Sequence, residues 1–105
     1  MVLILLLLAA LACAQPFPAA GVWKVGHGDG TELRLTLHPD GRAESDWEGQ
    51  HGRWHWQDDR LVVEYTDGWA DIISAIPGGY EKTSYKPGAD RTGPPSNRTS
   101  AVRLP

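Results

Sequence analysis

The sequence predicts a small all-β domain, an antiparallel up-and-down meander of seven to eight strands forming a barrel or half-barrel after a signal peptide. Three observations carry this expectation. Apolar residues alternate with polar ones along short runs, the period of a half-buried strand. Asp-Gly pairs and other turn signals separate the runs, as hairpin connections require. The body is short yet holds five tryptophans, the large apolar side chains a small core needs.

Residues 1–14 read as the signal. "MVLILLLLAALACAQP" is an apolar run ending in small residues. Val2 to Cys13 is too short for a helix that spans a bilayer, which takes about 20 apolar residues. Ala12-Cys13-Ala14 fits the small-x-small cleavage rule and puts the mature start at Gln15. Alternatively, "ALAC" resembles the bacterial lipobox and Cys13 carries the lipid. Ala10 then stands where that motif usually has Leu. Both readings export the domain to the periplasm or beyond, and membrane contact is expected only through lipid on Cys13.

Residues 15–20 form a short Pro/Ala leader, and the meander runs over 21–85. In "GVWKV", Trp23 and Val25 share a face. In "ELRLTLH", Leu33, Leu35 and Leu37 face one way, and Arg34, Thr36 and His38 the other. "HPDG" reads as a type I turn, with Pro39 presetting φ and Gly41 closing it. In "RWHW", Trp54 and Trp56 share a face opposite His55. In "LVVEY", Leu61, Val63 and Tyr65 align. Strand centres are expected at Trp23, Leu35, Glu44, Trp54, Val63, Ile72 and Lys82. The stretch "DGWADIISAI" also fits a helical turn capped by Asp67. Its place between hairpin-like units favours a strand. Residues 86–105 are Pro/Gly-rich, either disordered or wrapped on the body as a strap. "AVRL" there suggests a last edge strand at Ala101 to Leu104.

The tryptophans are expected to serve mainly as core. A body of about 65 residues buries only about 60% of its unfolded surface. The lone cysteine excludes an internal disulfide. Each aromatic side chain buries roughly 150–250 Å². Trp23, Trp54 and Trp56 on inward faces therefore need no functional explanation. Trp47 and Trp69 flank turns, where they cap a barrel end or line its mouth. If a ligand is held, the candidates are Trp47, Trp54, Trp56, Tyr65 and Trp69.

Gly21-Val22-Trp23 at the head of such a meander resembles the start of the lipocalin-like, or calycin-like, β-barrels. The nearest match in size is the class of small secreted bacterial barrels that includes periplasmic protease inhibitors. The resemblance implies a barrel that binds something rather than a catalyst, with Trp23 packing at its floor. Those inhibitors usually carry a disulfide, which this chain lacks.

Several chemistries find no support. A net charge of -3 argues against nucleic acid, which demands a basic face. No nucleophile motif, phosphate loop or Cys-His pair is present. His51 and His55 have the spacing of a helical metal pair. On a strand they stand about 13 Å apart, too far to share an ion. Asp46 and Glu48 share a strand face but are not distinguished from a polar exterior. Asp71 is harder to place. With Trp69 and Ile73 inward it is buried and needs a cation such as Arg53, Lys24 or Arg34. The favoured arrangement instead turns Ala70 and Ile72 inward. Asn97-Arg98-Thr99 fits a glycosylation sequon, discounted in a bacterial context.

The expected role is non-catalytic: an accessory or binding protein of the cell envelope without cofactor or metal. The alternatives are a carrier of a small apolar ligand and an inhibitor of a secreted enzyme. Five tryptophans in so short a body are expected to fill the interior, which favours a protein partner over a small ligand.

Overall fold

The computed structural model describes residues 16–105; the signal segment and Cys13 lie outside the described residues. Eight strands follow in chain order: β1 (Gly21–Gly26), β2 (Glu32–Leu37), β3 (Arg42–Ser45), β4 (His51–Gln57), β5 (Arg60–Tyr65), β6 (Ala70–Ile76), β7 (Gly79–Tyr85) and β8 (Asn97–Arg103). Each pairs antiparallel with the next, and β8 returns to pair with β1, so the sheet closes into a barrel. All seven expected strand centres fall inside strands. Residues 70–76 are strand rather than helical turn.

The period-two runs set the register. Trp23 pairs with Leu35, Val25 with Leu33, Trp54 with Val63 and Val63 with Asp71. A one-residue slip would send every apolar side chain outward, so the alternation pins the pairing. The core holds Trp23, Val25, Leu35, Leu37, Leu61, Val63 and Ile73, all at 1% exposure or less. The "HPDG" turn behaves as its sequence dictates. Gly41 N–H donates to His38 O at 3.0 Å, and Gly41 takes φ +96°, which a side chain would strain. Gly52 in β4 has a different reason to be glycine. A Cβ there would lie 1.9 Å from the backbone oxygen of Glu64 on β5.

Alternating strand direction sorts the connections to two ends. Segments 27–31, 46–50, 66–69 and 86–96 gather at one end, and the turns at 38–41, 58–59 and 77–78 at the other. The chain enters at the second end and plugs it. Phe17, 7% exposed, meets Trp56 at 4.8 Å, Tyr80 at 4.9 Å and Trp23 at 6.0 Å between ring centroids. Trp23 Nε1 donates to Ala19 O at 2.9 Å, and Arg103 on β8 donates to Ala20 O. The segment read as a leader is thus the floor of the barrel. Pro/Ala composition conceals this, because one aromatic ring has no periodicity to display.

The Pro/Gly-rich segment after β7 lies against the outer wall as a strap. Val62, Ile72 and Tyr85 form an outward-facing apolar cluster, and Ala89 packs on it. Arg91 donates to Glu64 at 2.8 Å, and Ser96 N–H to Ser84 O at 2.7 Å. The last strand begins at Asn97 and has partners on both sides, so it is the closing stave rather than an edge.

Candidate functional site

A cavity of about 540 Å³ opens at the end opposite the Phe17 plug. Three loops form its mouth. The β1–β2 loop brings His27, the β3–β4 loop Trp47 to Gln50, and the β5–β6 loop Thr66, Asp67 and Trp69. The His27 ring lies tilted on the Trp47 indole, centroids 3.6 Å apart, and so joins two loops across the rim. Short polar side chains hold the loops in shape. Ser45 Oγ accepts from Trp47 N–H at 2.9 Å, and Asp67 Oδ1 accepts from Trp69 N–H at 3.0 Å. Gln50 Nε2 donates to Asp67 Oδ2 at 2.9 Å and ties the second loop to the third.

The cavity deepens between Leu33, Tyr65, Asp71, Lys82, Ser84 and Asn97. Here the barrel interior changes from apolar to polar. Asp71, 7% exposed, accepts from Tyr65 Oη at 2.7 Å and from Ser84 Oγ at 2.6 Å. The Lys82 ammonium, itself 3% exposed, stands 4.0 Å from Asp71 Oδ1 and donates to Gly26 O at 2.6 Å. Burial disfavours the charged amine and lowers the Lys82 pKa, while the Asp71 charge works the other way. Burial also pushes the Tyr65 phenol well above its ordinary range, and the neighbouring Asp71 carboxylate adds to this. Asn97 Oδ1 is buried and has no hydrogen-bond partner among the described residues.

Asp71 therefore points into the barrel, contrary to the arrangement that places Ala70 and Ile72 inward. The misreading has a physical cause. Both faces of β6 are covered, the inner by the core and the outer by the strap, so Ala70 to Ile73 are all buried and alternation says nothing. Nor is the partner one of the three arginine and lysine residues expected. Lys24 pairs with Glu32, Arg53 donates to Asp40 O and Arg34 is exposed, whereas Lys82 fills the role from β7.

The five candidate ligand residues divide between the two ends. Trp47, Tyr65 and Trp69 line the cavity. Trp54 and Trp56 belong to the lower barrel. Trp54 Nε1 donates to His38 O at 2.7 Å, and Trp56 packs on Phe17 with its own Nε1 buried and unpaired. Trp23, Trp54 and Trp56 thus pack toward the plugged end of the barrel, while Trp47 and Trp69 stand at the cavity at the other end. Sequence reading missed Lys82, Ser84 and Asn97. The only available signal was parity, since Tyr80, Lys82 and Ser84 share a face of β7.

The other polar candidates stand at the rim of the cavity or outside it. Asp46 Oδ1 accepts from Arg34 N–H at 2.8 Å and fastens its loop to β2, while Glu48 sits on the rim with φ +50°. His51 and His55 are both exposed on β4; His51 borders the cavity, and His55 approaches Glu64 at 3.9 Å.

Compared with protein-family models, curated proteins and solved structures, the chain matches none. Its eight-stranded antiparallel barrel is compatible with the lipocalin-like architecture that Gly21-Val22-Trp23 resembles.

Proposed function

We propose that this is an exported, lipocalin-like domain that binds a small ligand without catalysis, in the cavity at its open end. One observation carries the reading: the end of this small barrel opposite the Phe17 plug holds a cavity of about 540 Å³. Ligand pockets typically span about 300–1,000 Å³, mostly apolar with a few polar groups that orient the guest. Packed interiors otherwise leave few voids larger than a water. Trp47, Trp69 and Leu33 supply apolar surface, and the Asp71 group supplies orientation. An inhibitor would instead need a projecting segment, and the Pro-rich strap that could serve is fastened to the wall through Arg91 and Ala89. Export follows the signal reading, with Cys13 either removed or lipidated.

Native mass spectrometry tests the proposal on the mature chain, purified gently from its host's envelope fraction. A small non-covalent adduct on the wild type, lost in a Leu33→Trp variant that keeps its β circular dichroism, is the expected result. Bare monomer, or a complex only with a second polypeptide, overturns it.

A further inference from the structure

We infer that the cavity selects an uncharged ligand, an apolar or aromatic body carrying a hydroxyl or amide head, with the head against the Lys82–Asp71 pair at its base. This deepens the proposed function and rests on it. Two charged groups at the base keep bonds to make. Asp71 Oδ1 and Oδ2 each accept one hydrogen bond, which leaves lone pairs over. Lys82 Nζ has three N–H bonds and gives one to Gly26 O, while Asp71 stands at 4.0 Å. A single group that accepts from Lys82 and donates to Asp71 suits this pair. A hydroxyl does so, and so does an amide.

Charge excludes the other heads. Asp71 and Lys82 form a compensated pair in a water-poor site. A carboxylate or ammonium placed beside them would be a third, uncompensated charge, which a buried site penalises heavily. The approach adds a second filter against anions. The lining carries three carboxylates, Glu48, Asp67 and Asp71, against the ammonium of Lys82 and the imidazoles of His27 and His51. The body of the ligand would lie higher, against Leu33, Trp47 and Trp69, where the surface is apolar and aromatic.

Three probes that differ only in the head test this: 2-naphthylmethanol, 2-naphthoate and 2-naphthylmethylammonium. Each is titrated into the mature protein at neutral pH and followed by tryptophan fluorescence and calorimetry. The alcohol is expected to bind at least about ten-fold more tightly than either ion, the scale of one uncompensated charge in a partly buried site. Two variants then move the preference in opposite directions. Asp71→Asn leaves Lys82 uncompensated and should raise affinity for the naphthoate. Lys82→Met leaves Asp71 uncompensated and should raise affinity for the ammonium. Equal affinity for all three probes, or tighter binding of an ion to the wild type, overturns the selectivity while the cavity remains a binding site. Failure of all three to bind, together with bare protein in the native spectrum, removes the binding site itself. If neither variant folds, the wild-type ratio alone decides.

Discussion

Truncating Phe17 tests whether the segment before β1 is part of the fold. Phe17 is 7% exposed and touches three aromatic rings. Burying such a side chain contributes roughly 1.5–3 kcal/mol. Its edge-on contacts with Trp56 at 4.8 Å and Trp23 at 6.0 Å add to this. Each such pair is worth about 0.5–1.5 kcal/mol beyond area. A void would remain, because Trp23, Trp56 and Tyr80 come from three strands whose register cannot shift. The sum agrees with the about 3–5 kcal/mol measured for Phe→Ala in cores. One effect opposes it. The residues ahead of Gly21 would fray, and each freed residue returns about 1–2 kcal/mol of backbone entropy. Phe17→Ala should therefore cost about 2–4 kcal/mol, shifted about 1 kcal/mol below the core range. Urea unfolding of the chain starting at Gln15, followed by tryptophan emission, measures this. The matched control is Asp59→Ala in an exposed turn. A loss below about 1 kcal/mol would refute the plug, since surface changes lie within roughly ±0.5 kcal/mol.

Further outcomes follow from the same geometry. Gly52→Ala should destabilise by more than about 2 kcal/mol, because its Cβ would lie 1.9 Å from a backbone oxygen. Gly49→Ala meets nothing within 4 Å and should cost only the strain of its φ of +66°, roughly 1 kcal/mol; thermal melts distinguish the two. Trp54→Phe should cost more than Trp56→Phe. The first removes one of the two donors to His38 O, whose other is Gly41 N–H, whereas the second removes an indole N–H that is already unpaired. Asp71→Ala should cost about 3–5 kcal/mol in urea, because it leaves Lys82 buried without its counter-charge. On the acid side, Asp29, Asp40 and Asp90 have carboxyls held below the ordinary 3.8, mainly by hydrogen bonds from Thr31, Arg42 and Thr92. Their contribution is present above pH 3.8 and is lost as pH falls through the lowered folded values. The triple Asp→Asn variant should lose less stability than the wild type between pH 4 and pH 2 in urea titrations, and an unchanged slope would count against these caps.

Several elements were legible in the chain because a local signal carries them. Leu33, Leu35 and Leu37 alternate against polar residues, so β2 and its inward face follow from three side chains. Gly41 after Pro39 and Asp40 writes its own turn. Trp47 and Trp69 beside turns read as caps of a barrel end or as lining of a mouth, and both border the cavity. Other features leave no local trace. Phe17 stands alone among prolines and alanines, and Lys82 lies in "YEKTSY", where both faces of the strand mix polar and aromatic residues.

What the sequence determined by itself was therefore the class of fold, the strand centres and the turns, since each depends on side chains a few positions apart. Tertiary structure alone decided three things: that the meander closes, that the first described residues seal one end, and that the other end stays hollow. Closure places β8 beside β1, about 75 residues away in the chain, through pairing that no local propensity encodes. It is also what sets Asp71 of β6, Lys82 of β7 and Asn97 of β8 around one cavity. Their chemistry exists only because three successive staves turn the same face inward, and that face is chosen by the core beneath and the strap outside.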